Sequence, residues 1–435
     1  MNIKQIWGLS LFSAMVLFCV ILFYIYPNRQ PPKEIEIYFA DRFTEAHRML
    51  IDRYNAQHKG SIKVVPIDFT MSEYSTDARK EILARSLRGE DDAIDLLAVD
   101  LIWVHRFAKW CEPLGQYFSV AERERFTDPA LRTCYHEGEL VAVPFYLVQG
   151  VMYYRQDLLE RLPHGKLLLN ELSHGIPWTK LLSYQKQLHW KGPYYIFPAA
   201  DYEGMVCSYI ELLLSLRPNY FETVGFRFDT PEAKQALQFL VDLVHRFHAT
   251  PPEVSDFTET PSYEYFLKHD GLFLRGWTSY EKDYFYNPPV DTSKQYHLKK
   301  APLPFLDGGK STSLFGGWNL MVSKASTKKE AVIDFVKYLL SDDAQEVLYK
   351  TGGFYPVINS FYTDSSCLRR YPEIPKLKEL INSGVHRPLH ENYTKYSKIM
   401  ARYFSLAIKG GMSVDEALRR AQVSIESEKN VVSGM

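Results

Sequence analysis

Leu314-Phe315-Gly316-Gly317-Trp318-Asn319-Leu320-Met321-Val322 opens the stretch from which the rest of the chain can be read. Two glycines ahead of an aromatic leave backbone amides uncovered and let a large flat molecule approach closely. Ser326-Thr327-Lys328-Lys329-Glu330 then predicts a helix start, with Thr327 as N-cap and Glu330 three residues on. Val332, Phe335, Val336, Leu339 and Leu340 continue at helical spacing. Ser341-Asp342-Asp343-Ala344-Gln345 begins a second helix, which ends at Gly352-Gly353, ahead of Phe354-Tyr355-Pro356.

Working outward, Ile35, Ile37 and Phe39 alternate as in a strand, and Phe43 to His58 carries a helical stripe. Ile62 to Ile67, Tyr74 to Leu87 and Ala93 to Val99 read as strand, helix and strand. That alternation predicts a parallel sheet with crossover helices, whose ligands bind beyond the carboxyl ends of strands. Asp41 and Asp100 stand at two such ends. Val141–Tyr146 and Val151–Arg155 read as two strands, Val206–Leu216 as an apolar helix, and Thr230-Pro231 as the cap of a long one. Leu272 to Trp277 reads as a buried strand, and Ser413-Val414-Asp415-Glu416 as a capping box for the last helix.

The order Gly-Gly-Trp-Asn, helix, Ser-Asp-Asp-Ala-Gln, Gly-Gly-Phe-Tyr-Pro resembles the second half of family 1 extracellular solute-binding proteins. These are the maltose- and trehalose-binding proteins that feed ABC transporters. Val141 to Arg155 is similar to that family's first crossover between lobes, and Tyr202-Glu203-Gly204 to a helix start at its ligand cleft. The strand ending in Trp277 is similar to one near the family's ligand. Arg387-Pro388, with Tyr393 and Tyr396-Ser397 beyond, resembles a segment that gives an arginine to the sugar, without the Val-Thr-Pro that follows it in the trehalose branch. The resemblance implies an α/β, two-lobe periplasmic-binding-protein fold of type II. Lobe one would be 33–145 plus 298–352, and lobe two 146–297 plus 353–430, with the return crossover near Tyr296 to Pro304. It further implies hinge closure on a carbohydrate, a di- or oligosaccharide, and delivery to ABC permease subunits, with no bond made or broken. The alternatives are a membrane-anchored sensing ectodomain and a carbohydrate-acting enzyme.

Composition agrees with a folded protein that can bury a large core: 435 residues, 46% hydrophobic, 24% charged. A net charge of −1 gives no basic excess to attract nucleic acid. Residues 7–26 contain no charge and are long enough to cross a bilayer, which predicts a transmembrane helix with a tether through residue 32. Tyr24-Ile25-Tyr26-Pro27 offers no small-residue cleavage site, so the segment reads as an uncleaved anchor. The resemblance places the remainder outside the membrane as a monomeric ectodomain. Beyond the anchor stand Cys111, Cys134, Cys207 and Cys367; Cys111 and Cys134 are near enough in sequence to pair, and three full pairings are open.

Several chemistries are excluded. Gly308-Gly309-Lys310-Ser311-Thr312 mimics the end of a phosphate loop, but Pro304 occupies the place of its first glycine. His-Glu-x-x-His and Cys-x-x-Cys are absent, and His245 with His248 on one helix is a solvated or capping pair sooner than a metal pair. No cofactor or metal is expected. The expected ligand set is therefore aromatic and polar. Trp103, Tyr146, Trp277, Tyr280 and Trp318 are the stacking candidates, beside the open backbone of Gly316 and Gly317. Asp100, Glu203, Arg275, Asn319 and Arg387 are the polar ones, since directional charge-assisted bonds fit hydroxyls. For each, packing in a lobe core or a surface charge is the alternative.

Overall fold

The computed structural model describes residues 15–16, 34–69, 76–89, 94–282 and 292–433. The expected anchor, 7–26, lies outside the described residues save Met15 and Val16. Among the described residues, no helix is long and apolar enough to cross a membrane.

Strands β1 (Ile35–Asp41), β2 (Ile62–Asp68) and β3 (Leu96–Asp100) alternate with helices α1 (Glu45–Gln57) and α2 (Thr76–Arg88). β1 lies between β2 and β3 and is parallel to both, as helical crossovers require. Each of the three strands ends in aspartate at its carboxyl end. Next comes β4 (Val143–Arg155), thirteen residues long and almost wholly buried. Lobe two follows with β5 (Tyr195–Ile196), α3 (Glu203–Leu216), α4 (Pro231–His245), β6 (Phe273–Trp277) and β7 (Leu298–Ala301). The chain then returns through β8 (Ser313–Val322) to α5 (Lys329–Leu339) and α6 (Asp342–Gly352), and closes with β9 (Gly384–Val385), α7 (Tyr393–Ile408) and α8 (Val414–Ser433).

The hydrogen-bonded order is β2-β1-β3-β8-β4-β6-β5, with β7 also on β4 and β9 on β8. β4 serves both lobes. Its first half pairs with β8 from Val143 to Gln149, and its second half pairs with β6 and β7 from Gly150 to Arg155. The two strands expected here are one, because Gly150 is not a break. A side chain at Gly150 would run into the Glu211 carboxylate, so the glycine answers a close approach and leaves the strand straight.

Two pairings lie beside the expected crossover points. β7 pairs with Met152–Arg155 of β4, the half that also carries β6. After α6, Tyr355 bridges Leu147 of β4, and the Thr127 amide donates to Val357 O at 2.8 Å. The expected Thr327 cap is replaced. Lys328 is the N-cap and has no side-chain cap bond; Ser326 shapes the turn before it, its hydroxyl accepting from Lys328 N at 3.2 Å and donating to the buried Asp95 at 2.7 Å.

Each lobe buries an aromatic core. Phe39 meets Phe335 edge-on at 5.9 Å in lobe one, and Tyr209 meets Phe404 at 4.6 Å in lobe two. Cys111 and Cys134 do not pair; all four described cysteines are free thiols, and burial pushes the first two far above the usual thiol range.

Candidate functional site

Asp100 ends β3 and accepts a hydrogen bond from Ile102 N at 3.2 Å, which folds the next residues into a short 3-10 turn and buries Trp103. Glu203 begins α3, where a carboxylate is favoured by the helix dipole. Arg387, in the loop that leads to α7, joins the two. Its Nη2 lies 2.5 Å from Asp100 Oδ1 and its Nη1 donates to Glu203 Oε1 at 3.2 Å. Tyr393 donates to the same glutamate oxygen at 2.8 Å. One guanidinium, 3% exposed, thus spans from the lobe-one sheet to the lobe-two helix layer.

Electrostatics follow from that burial. Loss of solvent pushes the Glu203 carboxyl upward; Arg387 opposes the shift and the nearby negative Asp100 adds to it. Burial works against the charge on Arg387, yet Asp100 and Glu203 hold its pKa well above the usual value. Around the bridge lies a cavity of about 100 Å3, lined by Lys80, Asp100 and Trp103 from lobe one and by Asp201, Glu203 and Ser397 from lobe two, among others. Binding pockets for organic ligands run to roughly 300–1,000 Å3, so this cavity is small beside them.

Trp318 stands opposite Asp100 on the β3–β8 ladder and meets Trp103 edge-on at 5.4 Å. Its ring is partly exposed. Gly317 adopts φ +138°, open to glycine and strained for other residues, and a side chain there would strike the Tyr146 carbonyl. Gly316 makes room for another ring: a Cβ would sit 3.1 Å from Trp277. The glycine pair therefore allows strand and ring packing in addition to any ligand approach. Trp277 is partly exposed too, and its indole hydrogen-bonds the Glu259 carboxylate.

Of the expected set, Asp100, Trp103 and Glu203 line the cavity, while Trp277 and Trp318 stand outside its lining. Arg275 is 1% exposed and forked onto Glu211 at 2.8 and 3.0 Å. Asn319 is fully buried, and its amide donates to Thr133 Oγ1 at 2.9 Å inside lobe one, on the side of β8 opposite Trp318. Tyr146 stacks on Phe354 at 4.0 Å, and Tyr280 stacks on Tyr153 at 6.2 Å; both are 4% exposed. Each of these four is engaged in packing, because its place in a buried strand or turn points it at a neighbouring element. Conversely, Lys80 and Arg79 escaped the sequence reading. The signal was present: Arg79 falls on the same helical stripe as Leu83 and Leu87, where a charge demands a partner.

Among the described residues, no group of histidine, cysteine and acidic side chains could hold a metal. His245 Nε2 donates to the Ile408 carbonyl at 2.8 Å, a packing role.

Comparison with known proteins bears on this architecture. The family model described as bacterial extracellular solute-binding protein matches residues 39–346. A probable ABC transporter-binding protein of Deinococcus radiodurans is 24% identical over 368 residues, 82% of this chain and 84% of its own. Maltose-bound MalE3 of T. maritima superposes with a TM-score of 0.77 at 24% identity, covering 90% of this chain and 99% of that one. A tagatose-bound ABC transporter solute-binding protein of Thermotoga lettingae gives 0.76 at 20% identity, covering 91% and 99%. The family and these neighbours are binding proteins.

Proposed function

Because the chain belongs to the bacterial extracellular solute-binding proteins, we propose that it captures a carbohydrate between its lobes and passes it to an ABC permease. The observation that carries this reading is the cavity shared by the two lobes, with Asp100 and Trp103 on one wall and Glu203 on the other. Parting the lobes breaks the Arg387–Asp100 contact and frees a carboxylate on one side and a guanidinium on the other. Sugar hydroxyls donate to the first and accept from the second, while the apolar C–H faces of the ring lie on indole. Closure then follows from tighter binding to the closed form than to the open one. The ligands bound in two neighbours, maltose and tagatose, support a carbohydrate.

The same reading extends to residues 7–26. Their charge-free run fits an anchor that holds the two lobes at the outer face of a membrane, within reach of the permease. The test is native mass spectrometry of the purified protein for retained ligand, followed by calorimetric titration with maltose and tagatose. A one-to-one complex with either sugar is expected. Intact lobes that bind no saccharide in a broad panel would overturn the ligand class, and cleavage of the sugar during titration would turn the protein into an enzyme.

A further inference from the structure

Trp318 and Trp277 have the same support built beneath them. The Arg79 guanidinium lies 4.1 Å from the Trp318 ring centroid, and the Arg275 guanidinium lies 4.1 Å from that of Trp277. Each arginine is buried and held by a buried carboxylate: Arg79 by Asp41 at 3.0 Å, Arg275 by Glu211 at 2.8 Å. The elements are unrelated in sequence. In lobe one the set draws on α2, β1 and β8; in lobe two it draws on β6 and α3.

Stability does not explain these pairs. A buried ion pair is worth little more than a well-packed apolar pair of the same volume. Each arginine also leaves one nitrogen without a hydrogen-bond partner, Nε in Arg79 and Nη1 in Arg275. A buried unpaired donor is costly. The guanidiniums are thus placed for their planes, which stack on indole as an ammonium cannot. The chain makes room around them as well. A side chain at Gly150 would collide with Glu211, and Glu211 accepts from Leu314 N at 3.3 Å, which ties the lobe-two set to the start of β8. Trp318 is held from a second direction by the edge of Trp103.

We infer that Arg79 and Arg275 are positioning residues, each anchored on its own carboxylate and each fixing the ring plane of one partly exposed tryptophan before ligand arrives. The inference rests on the reading of the cleft as a carbohydrate site. Fixing a ring in advance removes ordering cost from binding, which is how supporting residues raise affinity without touching ligand.

The experiment is fluorine NMR of the full chain labelled with 5-fluorotryptophan, signals being assigned by single Trp→Phe changes. Arg79→Met should broaden or split the Trp318 signal at least twofold and spare Trp277; Arg275→Met should do the reverse. Either single change strands a buried carboxylate and can prevent folding. The neutral pairs Asp41→Asn with Arg79→Met, and Glu211→Gln with Arg275→Met, remove both charges and keep the test available. Unchanged linewidths in the folded neutral pairs would overturn the inference. A maltose titration of the same proteins should show about tenfold weaker binding. The linewidths need no ligand, so failure of the wild type to bind maltose counts against the carbohydrate reading alone.

Discussion

Trp318 combines a partly exposed ring with a place on β8 directly across from Asp100. Trp318→Ala should weaken sugar binding by about 2 kcal/mol, roughly thirtyfold, the scale of a buried aromatic anchor. Calorimetry checks the affinity and thermal melting checks the fold; a collapsed melting temperature with unchanged affinity would make Trp318 a core residue. His386 answers to pH instead. Its ring lies 5.0 Å from Phe315, and burial pulls its pKa from 6.5 down to about 4, with Arg132 adding to the effect. The folded state thus holds fewer protons than the unfolded chain between these values. The neutral ring's contribution is complete above pH 6.5 and drains away as pH falls through 4. His386→Phe keeps the packing and removes the titration, so its melting temperature should fall less than that of the wild type from pH 7 to 4. Parallel curves would show that His386 does not titrate in this window. Of the residues in the bridge, Asp100, Glu203 and Arg387 were legible in the sequence, because strand ends, a helix start and the Arg-Pro segment all pointed there. Arg275 and Asn319 were misplaced for a common reason: a polar residue in a buried strand looks the same in sequence whether it meets ligand or a partner such as Glu211 or Thr133.

At the scale of elements, periodicity was sufficient for α1, α3, α4 and the three parallel strands. Each shows the stripe or alternation that its burial demands. What periodicity could not supply was continuity across the lobes. β4 was split in two at Gly150, since a glycine inside a strand usually marks a bulge and here marks a neighbour's approach. The place of β7 was hidden for a related reason. Four residues, Leu298-Lys299-Lys300-Ala301, carry no sign of which half of β4 they will pair with. The turn that leads into α5 is held by the bond from Ser326 to Asp95, more than two hundred residues away, and no local pattern encodes that partner.

For the molecule as a whole, the two-lobe architecture was legible from the order of short motifs, whereas the exact crossover points were not. They are set by pairing partners and not by composition. Arg387 joins Asp100, at the end of β3, to Glu203, at the start of α3. Arg387→Met would leave Asp100 and Glu203 facing each other across the cleft without that link. Small-angle scattering should then show a larger radius of gyration than for the wild type, restored toward it by a bound sugar. Superimposable curves would mean that Arg387 does not hold the lobes together. The sheet order carries a different consequence, one for the making of the protein. β8 sits in the middle of the lobe-one sheet, between β3 and β4, yet it is synthesised roughly two hundred residues after β3. At about 5–20 residues per second that interval lasts on the order of 10–40 s. Through that time the growing chain presents β3 and β4 with their shared neighbour still to come, as unpaired edges open to other chains. Holding such a nascent segment is work for a chaperone at the ribosome or the translocation machinery, and the amino-terminal third of this protein is where that work should fall.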